Sequence, residues 1–370
     1  MRVALVHDWL TGMRGGERVL ESLVSLFPAA DIFTLVHVPG SVAPTIEARP
    51  IRTSFIQRLP GAPRRFRQYL PLFPLAVRRF DLRGYDLVLA TSHCVAVGAR
   101  PPAGAAHVVY CFTPMRYAWA FERAYVGRVP PLARGALRAA LAGLRRWDRA
   151  AGRRAGSVAC ISQHVAARIE RVWGRAARVV YPPVRTEFFR PAEAGAVGDA
   201  YLCVSALTPY KRLDVAVDAC TELGRRLDVI GSGPELARLR RRAGPTVRFL
   251  GWQPDAVVRE AVSRCRAFLF PGEEEFGIAP LEATAAGRPI VAYARGALTE
   301  TVVDGVTGHF FREQTAAALG DALRRSEVTG WSGEKIRAHA LRFSEEAFRA
   351  EMAAVIDAAL GARREARAAC

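Results

Sequence analysis

Residues 271–293 read PGEEEFGIAPLEATAAGRPIVAY, and this stretch decides the architecture. An apolar run, Ala267–Phe270, leads into it, and a second, Pro289–Ala292, closes it. Between them the spacing predicts an acidic turn and then a helix from Pro280 to Ala286. Strand, turn, helix and strand in so short a span is a parallel βαβ unit. Gly277 lets the backbone approach a ligand closely. The free N–H groups of Ile278 and Ala279 open the helix and form an anion site suited to a diphosphate. Glu274 precedes that turn and Glu282 lies just inside the helix, so one carboxylate can meet sugar hydroxyls and the other ribose hydroxyls. The competing reading is an ordinary acidic helix start, which the helix dipole favours.

Outward from this unit the same alternation runs through nearly the whole chain, which argues for parallel sheets with helices on both faces. In the second half, strands are expected at Ala200–Val204, Leu227–Ile230 and Val247–Leu250, with helices near Leu213–Glu222, Pro234–Arg242 and Asp255–Ser263. In the first half, strands are expected at Val3–Val6, Ile32–Val36, Leu87–Ala90, His107–Cys111, Val158–Ile161 and Val179–Tyr181. Helices are expected there at Glu17–Phe27, Leu132–Arg149 and His164–Val172, and a last one at Glu345–Gly361. At 370 residues the chain is long for a single core, so two domains are expected. Pro182-Pro183 and the small residues 192–198 mark the break, giving domains 1–190 and 191–344. The fold class is α/β: two Rossmann-like, doubly wound parallel-sheet domains facing a cleft, with ligands beyond the carboxyl ends of the strands.

Charge is placed unevenly. The net charge is +18, yet residues 1–190 hold 29 arginines against 11 carboxylates, whereas residues 191–370 hold 24 basic and 24 acidic groups. The first half is therefore expected to attract an anion: phospholipid headgroups, a phosphorylated acceptor or nucleic acid. Coding bias explains why 51 of the 53 basic residues are Arg, but not the neutral second half. The arginines are dispersed and no nucleic-acid-binding motif is present, so nucleic acid is not the expected partner. Arg64, Arg65, Arg67, Arg78 and Arg79 flank Phe66, Tyr69, Leu70, Leu72 and Phe73, a pattern suited to an anionic membrane surface or to an amphipathic loop. The seven cysteines are scattered and never form C-x-x-C, which suggests neither zinc nor a disulfide framework and fits a reducing compartment. MRVALVHD reads as a first strand rather than a signal peptide. No run approaches the ~18 apolar residues of a membrane span. The expectation is a cytoplasmic protein, in peripheral contact with the inner face of the plasma membrane.

Further loops carry candidate chemistry. SALTPYKRLD, residues 205–214, sets Lys211 and Arg212 at a helix start, where cations oppose the dipole unless an anion is bound; a solvated basic turn is the alternative. A point-charge ammonium such as Lys211 suits a leaving phosphate. GSGPE, from Gly231, is a Gly-rich turn open to a ligand or to another backbone, and FLGWQ, residues 249–253, holds a Trp that flanks a base or simply packs. Near the N-terminus, DWLTGMRGGERVLE, residues 8–21, follows the first strand and offers a backbone cradle at Gly15-Gly16 beside Asp8, without the G-x-G-x-x-G fingerprint. YCFTPMRYAWAFERAY, residues 110–125, surrounds Thr113 and Arg116 with aromatic residues suited to a sugar phosphate or to a core. His93 follows a strand as a cleft residue or a cap.

In this order these segments resemble the retaining glycosyltransferases of family 4, which have the GT-B fold, over nearly the whole chain. Glu274 to Glu282 is similar to that family's E-x7-E motif, and HDWLTGMRGGERVLE, SHCVA and TPMRYAW look like its bacterial mannosyltransferase-like group. The resemblance implies that residues 1–190 bind the acceptor, that residues 191–344 bind the nucleotide sugar, and that residues 345–370 form a helix packing back on the N-terminal domain. It implies Glu274 on the donor sugar, Glu282 on the ribose, Lys211 on the diphosphate, the Gly277–Ala279 backbone on the sugar-proximal phosphate, and Gly16 on the diphosphate from the other domain. Arg212 and Gly231 are further expected donor contacts; Asp8, His93, Thr113 and Arg116 are expected on the acceptor or sugar side. Two positions depart from the family: Ala206 stands where many members have Arg, and Phe112 where a cleft histidine is usual.

The implied reaction moves a hexose, mannose from GDP-mannose in the subgroup, onto a glycan or polyprenyl-diphosphate-linked acceptor in surface polysaccharide synthesis. It needs no side-chain nucleophile and no obligatory metal or cofactor. The alternatives are a nucleotide-sugar epimerase of the same fold, a degenerate non-catalytic relative, and an Arg-rich anion-binding protein.

Overall fold

The computed structural model describes residues 1–119, 131–193 and 195–368. It divides into two compact units, Met1–Tyr181 with Phe348–Cys370, and Pro182–Ala347. The break falls before the expected residue 190 because Phe189 is fully buried in the second unit's core with Phe268 and Ile290. Val184 also pairs with Ser344 there.

The first unit is built on seven parallel strands: β1 Val3–His7, β2 Asp31–Thr34, β3 Ile51–Thr53, β4 Leu87–Ser92, β5 Ala106–Cys111, β6 Ser157–Cys160 and β7 Arg178–Val179. Their order is β3-β2-β1-β4-β5-β6-β7. VALVH and LVLATS are buried at every position, as central parallel strands covered on both faces must be. β3, at the edge, is mostly exposed, with only Ile51 half-buried, and its polar reading hid it in the sequence. Helix Gly15–Leu26 follows β1, and helix Pro131–Arg154 precedes β6. The C-terminal helix, Glu345–Ala368, belongs to this unit from Phe348 on. Phe348 meets Tyr110 edge-on at 5.5 Å, and Arg363 donates to the Asp86 carbonyl at 2.9 Å.

The second unit has six parallel strands: β8 Tyr201–Val204, β9 Leu227–Ile230, β10 Val247–Gly251, β11 Phe268–Phe270, β12 Ile290–Tyr293 and β13 Gly308–Phe311. Their order is β10-β9-β8-β11-β12-β13. The sequence reading missed β13, another edge strand, and the helices Ala316–Val328 and Gly333–Ala340. In both sheets the strand order reverses beside the first strand, between β1 and β4 and between β8 and β11. Loops leaving those strands diverge and open a crevice at the carboxyl ends, which is where such sheets hold ligands.

The stretch expected to meet a membrane is only partly free to do so. Phe66 and Phe73 are buried and stacked 6.4 Å apart, each also against Trp9. The exposed apolar side chains are Leu72 and Leu75, at 40% and 44%. Among the described residues no helix is long and apolar enough to cross a membrane. Cys94, Cys111, Cys160, Cys203, Cys220 and Cys265 are free and buried; Cys370 lies outside the described residues.

Candidate active site

In the second unit the β8 and β11 loops meet at the switch point. β8 ends in a 3-10 turn, Pro209–Lys211, and β11 runs into Pro271–Gly277. The two loops approach so closely that a Cβ on Gly272 would lie 3.0 Å from the Lys211 Cα. The Lys211 ammonium is thereby brought onto the Glu274 carboxylate, forming an ion pair whose two side chains are 13% and 17% exposed. The Lys211 Nζ also lies over the Phe270 and Tyr210 rings, at 5.2 and 5.5 Å. Glu274 is held through its backbone: its carbonyl accepts from Ala297 N–H at 2.9 Å, and Gly296 bridges to it.

Gly277 takes φ 91° as the cap of helix Ile278–Ala285. Any side chain there would be strained by that φ, and its Cβ would lie 2.4 Å from Leu298 Cδ2. The helix starts four residues after Glu274 and leaves the N–H groups of Ile278 and Ala279 without an intrahelical acceptor. One turn on, Glu282 is buried, and its Oε1 accepts from Arg185 Nε and Nη2 at 3.3 and 3.1 Å. The same guanidinium donates to Asp255 and lies over the Phe188 and Phe189 rings at 4.9 and 5.0 Å. Arg185 escaped the sequence reading because it follows Pro182-Pro183 and looked like part of a hinge.

Two expected donor contacts have other partners. Arg212 is the one non-glycine residue with positive φ among the described residues, at 52°. Its side chain reaches Asp214 at 3.1 Å and Gln314 Oε1 at 3.2 Å, and Gln314 in turn donates to the Pro271 carbonyl at 2.8 Å. Arg212 thus braces the β8 loop through Gln314 against the β11 loop. Gly231 is required by another backbone: a Cβ there would lie 1.9 Å from the Ser205 carbonyl oxygen, and one on Gly233 2.3 Å from that of Leu207. GSGPE therefore shapes the β8 loop from beneath.

In the first unit the switch point is filled by Asp8 and the turn after β4. Asp8 is buried, and each of its oxygens accepts two backbone N–H groups: His93 and Cys94 at 2.7 and 2.9 Å, Val95 and Ala96 at 2.7 and 2.8 Å. With its acceptors so committed, Asp8 anchors the loop that follows β4. The same turn sets His93 Nδ1 3.1 Å from Asp8 and the His93 ring edge-on to Trp9 at 4.4 Å. Burial pulls His93 below its ordinary pKa; Asp8 opposes this, and nearby Arg116 adds to it.

His7 and Glu17, unremarked in the sequence, form a second buried pair. His7 Nδ1 bonds Thr91 Oγ1 at 2.8 Å, and its Nε2 lies 3.8 Å from Glu17. Burial raises the Glu17 carboxyl, but the bond and charge of His7 outweigh it and hold the group below its usual pKa. Gly16 sits between His7 and Phe112, each about to touch a Cβ placed there, at 3.5 Å. Phe112 lies 6.2 Å from His93 between ring centroids. Thr113 is buried and accepts from Arg168 at 2.9 Å; Arg116 opens a short helix, Arg116–Trp119. This segment is held by Asp148, whose buried carboxylate accepts from Trp119, Trp173 and Met115 N–H at 2.8, 2.9 and 3.4 Å. Residues 120–125 of the aromatic stretch lie outside the described residues.

Two family models match the chain: Glycosyltransferase Family 4 over residues 13–188 and Glycosyl transferases group 1 over residues 198–326. A GDP-mannose-dependent alpha-(1-6)-phosphatidylinositol monomannoside mannosyltransferase of Mycolicibacterium smegmatis is 30% identical over 219 residues, covering 49% of this chain and 57% of the relative. A phosphatidyl-myo-inositol mannosyltransferase of Mycobacterium leprae is 37% identical over 125 residues, 31% of this chain and 33% of the relative. The chain thus matches little more than half of the first relative's length and a third of the second's. Among solved structures, HepE of Anabaena in complex with UDP and glucose superposes with TM-score 0.72 at 16% identity, over 96% of this chain and 99% of that one. Sucrose-phosphate synthase of Thermosynechococcus elongatus does so with TM-score 0.75 at 19% identity, over 98% and 100%. With family models on both sequence halves and two doubly wound parallel sheets beneath them, the chain belongs to glycosyltransferase family 4 and has the GT-B fold.

Proposed function

We propose that this protein transfers a hexosyl group from a nucleoside diphosphate sugar to a hydroxyl of a glycan or polyprenyl-diphosphate-linked acceptor, with retention at the anomeric carbon. The observation that carries this reading is the Lys211–Glu274 ion pair set beside the Gly277-capped helix at the β8/β11 switch point. That arrangement offers a diphosphate one ammonium and a helix start, while Glu274 offers a carboxylate to sugar hydroxyls. Glu282, oriented by Arg185, is the group for the ribose. As the anomeric C–O bond to phosphate breaks, Lys211 and the helix N–H groups take up the growing negative charge. The acceptor oxygen bonds to the same face of the oxocarbenium-like sugar, and its proton passes to the leaving phosphate. The protein's share is preorganised charge and orientation. Because Lys211 and the helix start supply the positive charge, this mechanism has no obligatory metal or cofactor.

Mannose from GDP-mannose is the finer reading, supported by the names of the mycobacterial relatives, and a role in surface polysaccharide synthesis is what the sequence resemblance implies. The excess of arginine in the first half supports peripheral contact with an anionic membrane where a lipid-linked acceptor lies. Phe112, filling the space between Gly16 and His93, favours a second reading: a relative that binds donor without turning it over.

Thermal stabilisation by GDP, UDP, ADP and their sugar conjugates tests the donor site, with Lys211→Ala as control. A shift with one nucleotide that Lys211→Ala abolishes is expected. Loss of this cation should cost about 10²- to 10³-fold in turnover, by analogy with oxyanion-hole donors. No shift with any nucleotide overturns the reading, whereas a shift without product selects the non-catalytic one. The anomeric configuration of the product, read by NMR, tests retention.

A further inference from the structure

We propose that a recess beside edge strand β3 is a binding site for the phosphate of an anionic phospholipid, separate from the site described above. The recess has a volume of about 340 Å³ and lies between β2, β3 and the segment that follows helix Phe73–Arg78. That is the lower end of the range of small-molecule sites, enough for a headgroup. Its walls are the rings of Phe33, Phe55 and Phe80, and its cations are Arg52, Arg58 and Arg79.

Among the described residues, only one of these three charges, that of Arg52, is balanced by a carboxylate of the protein. Arg52 has a counter-ion, Asp31, at 3.4 Å. Arg79 lies over the Phe55 ring at 5.6 Å, and among the described residues neither it nor Arg58 has a carboxylate partner. Asp81, the one carboxylate lining the recess, is taken by Arg83 in a two-pronged pair at 2.8 and 2.7 Å. Exposed Arg64, Arg65, Arg67 and Arg78 nearby in the chain add to the same positive field. A guanidinium matches two oxygens of a phosphate at once, so a phosphate group between Arg58 and Arg79 would relieve the crowding of like charge.

The occupant is a lipid rather than a free phosphate because of what adjoins the recess. Leu75 stands four residues before Arg79, on the same side of that helix, and with Leu72 it is one of the exposed large apolar side chains of this unit. Exposed leucines flanked in the chain by exposed arginines suit the boundary between headgroups and acyl chains. This goes further than the membrane contact proposed above by naming the residues that make it, and it does not depend on the donor chemistry.

Flotation of the full chain with vesicles of phosphatidylcholine and phosphatidylglycerol in equal parts tests the assignment, with phosphatidylcholine alone as blank. The double variant Arg58→Gln/Arg79→Gln removes the recess cations, and Arg64→Gln/Arg65→Gln removes the same charge outside it. All four positions are exposed, so both variants should melt as the parent does. The expected result is about a 10- to 30-fold loss of vesicle affinity for the recess variant and a clearly smaller loss for the other, with GDP stabilisation unchanged in both. Equal losses would mean diffuse attraction and overturn the recess while leaving membrane contact standing. No binding of the parent to anionic vesicles overturns both. Stabilisation by inorganic phosphate that needs Arg58 and Arg79, without vesicle binding, overturns the lipid assignment.

Discussion

Replacing Asp8 by Asn separates an anchoring role from a role on the substrate. Each Asp8 oxygen receives two backbone N–H groups from residues 93–96, all within 2.9 Å, and the side chain is inaccessible to water. An amide keeps one oxygen and turns an NH2 toward the other two donors, whichever way it is flipped. Two buried N–H groups then lose their acceptor, at about 1–3 kcal/mol each, so unit 1 should lose about 2–6 kcal/mol. Against a total stability of about 5–15 kcal/mol for a typical domain, that is a large share. Urea unfolding followed by tryptophan fluorescence reads it directly, because Trp9 packs edge-on against His93 in the turn that Asp8 holds. The two units are expected to unfold in separable steps, and only the step of the first unit should move to lower urea. Should Asp8→Asn unfold within about 0.5 kcal/mol of the parent while transfer activity collapses, the anchoring argument is wrong and Asp8 belongs to the substrate.

Two other perturbations follow from the same geometry. Arg185→Gln removes the guanidinium that orients Glu282, so the preference for GDP over 2′-deoxy-GDP should shrink by roughly 10-fold or more, about the value of a hydrogen bond to a charged group. Calorimetric titration of the two nucleotides checks this, and a preserved preference would show that Glu282 needs no such partner. Burial pushes the Asp148 carboxyl up to about 6 from 3.8, against the pull of its three N–H donors. The folded state then binds this proton more tightly than the unfolded chain between those values. Stability should therefore fall as pH rises from about 4 to about 6, by about 3 kcal/mol in all, and stay level above. Asp148→Asn should lack that slope in denaturation curves taken across the range, and a slope that persists would have to come from another group.

Much of the architecture was legible because it rests on local pattern. VALVH, LVLATS, YLCV and IVAY are apolar at nearly every position, which only a strand covered on both faces tolerates, and each is found within a residue or two of its expected bounds. Gly277 was readable for a related reason: the chain must turn from strand to helix at that point, and φ 91° admits little else. The edge strands Ile51–Thr53 and Gly308–Phe311 were not readable, since half-exposed positions carry no apolar period.

For the candidate site, the loops and the residue types they carry could be read from the chain alone: Lys211 after one strand, Glu274, Gly277 and Glu282 after another. The partner that each charged side chain finds was set by contacts distant in the chain. Lys211 meets Glu274 from 63 residues away, and Arg185 reaches Glu282 across 97. Asp8 spends its oxygens on a turn 85 residues on, Arg212 braces Gln314, and Gly231 yields to the Ser205 backbone. Hydrogen bonds and ion pairs act over a few ångströms, and the partner within that reach is chosen by strand order, which places β8 beside β11 and β1 beside β4 however far apart they stand in the chain.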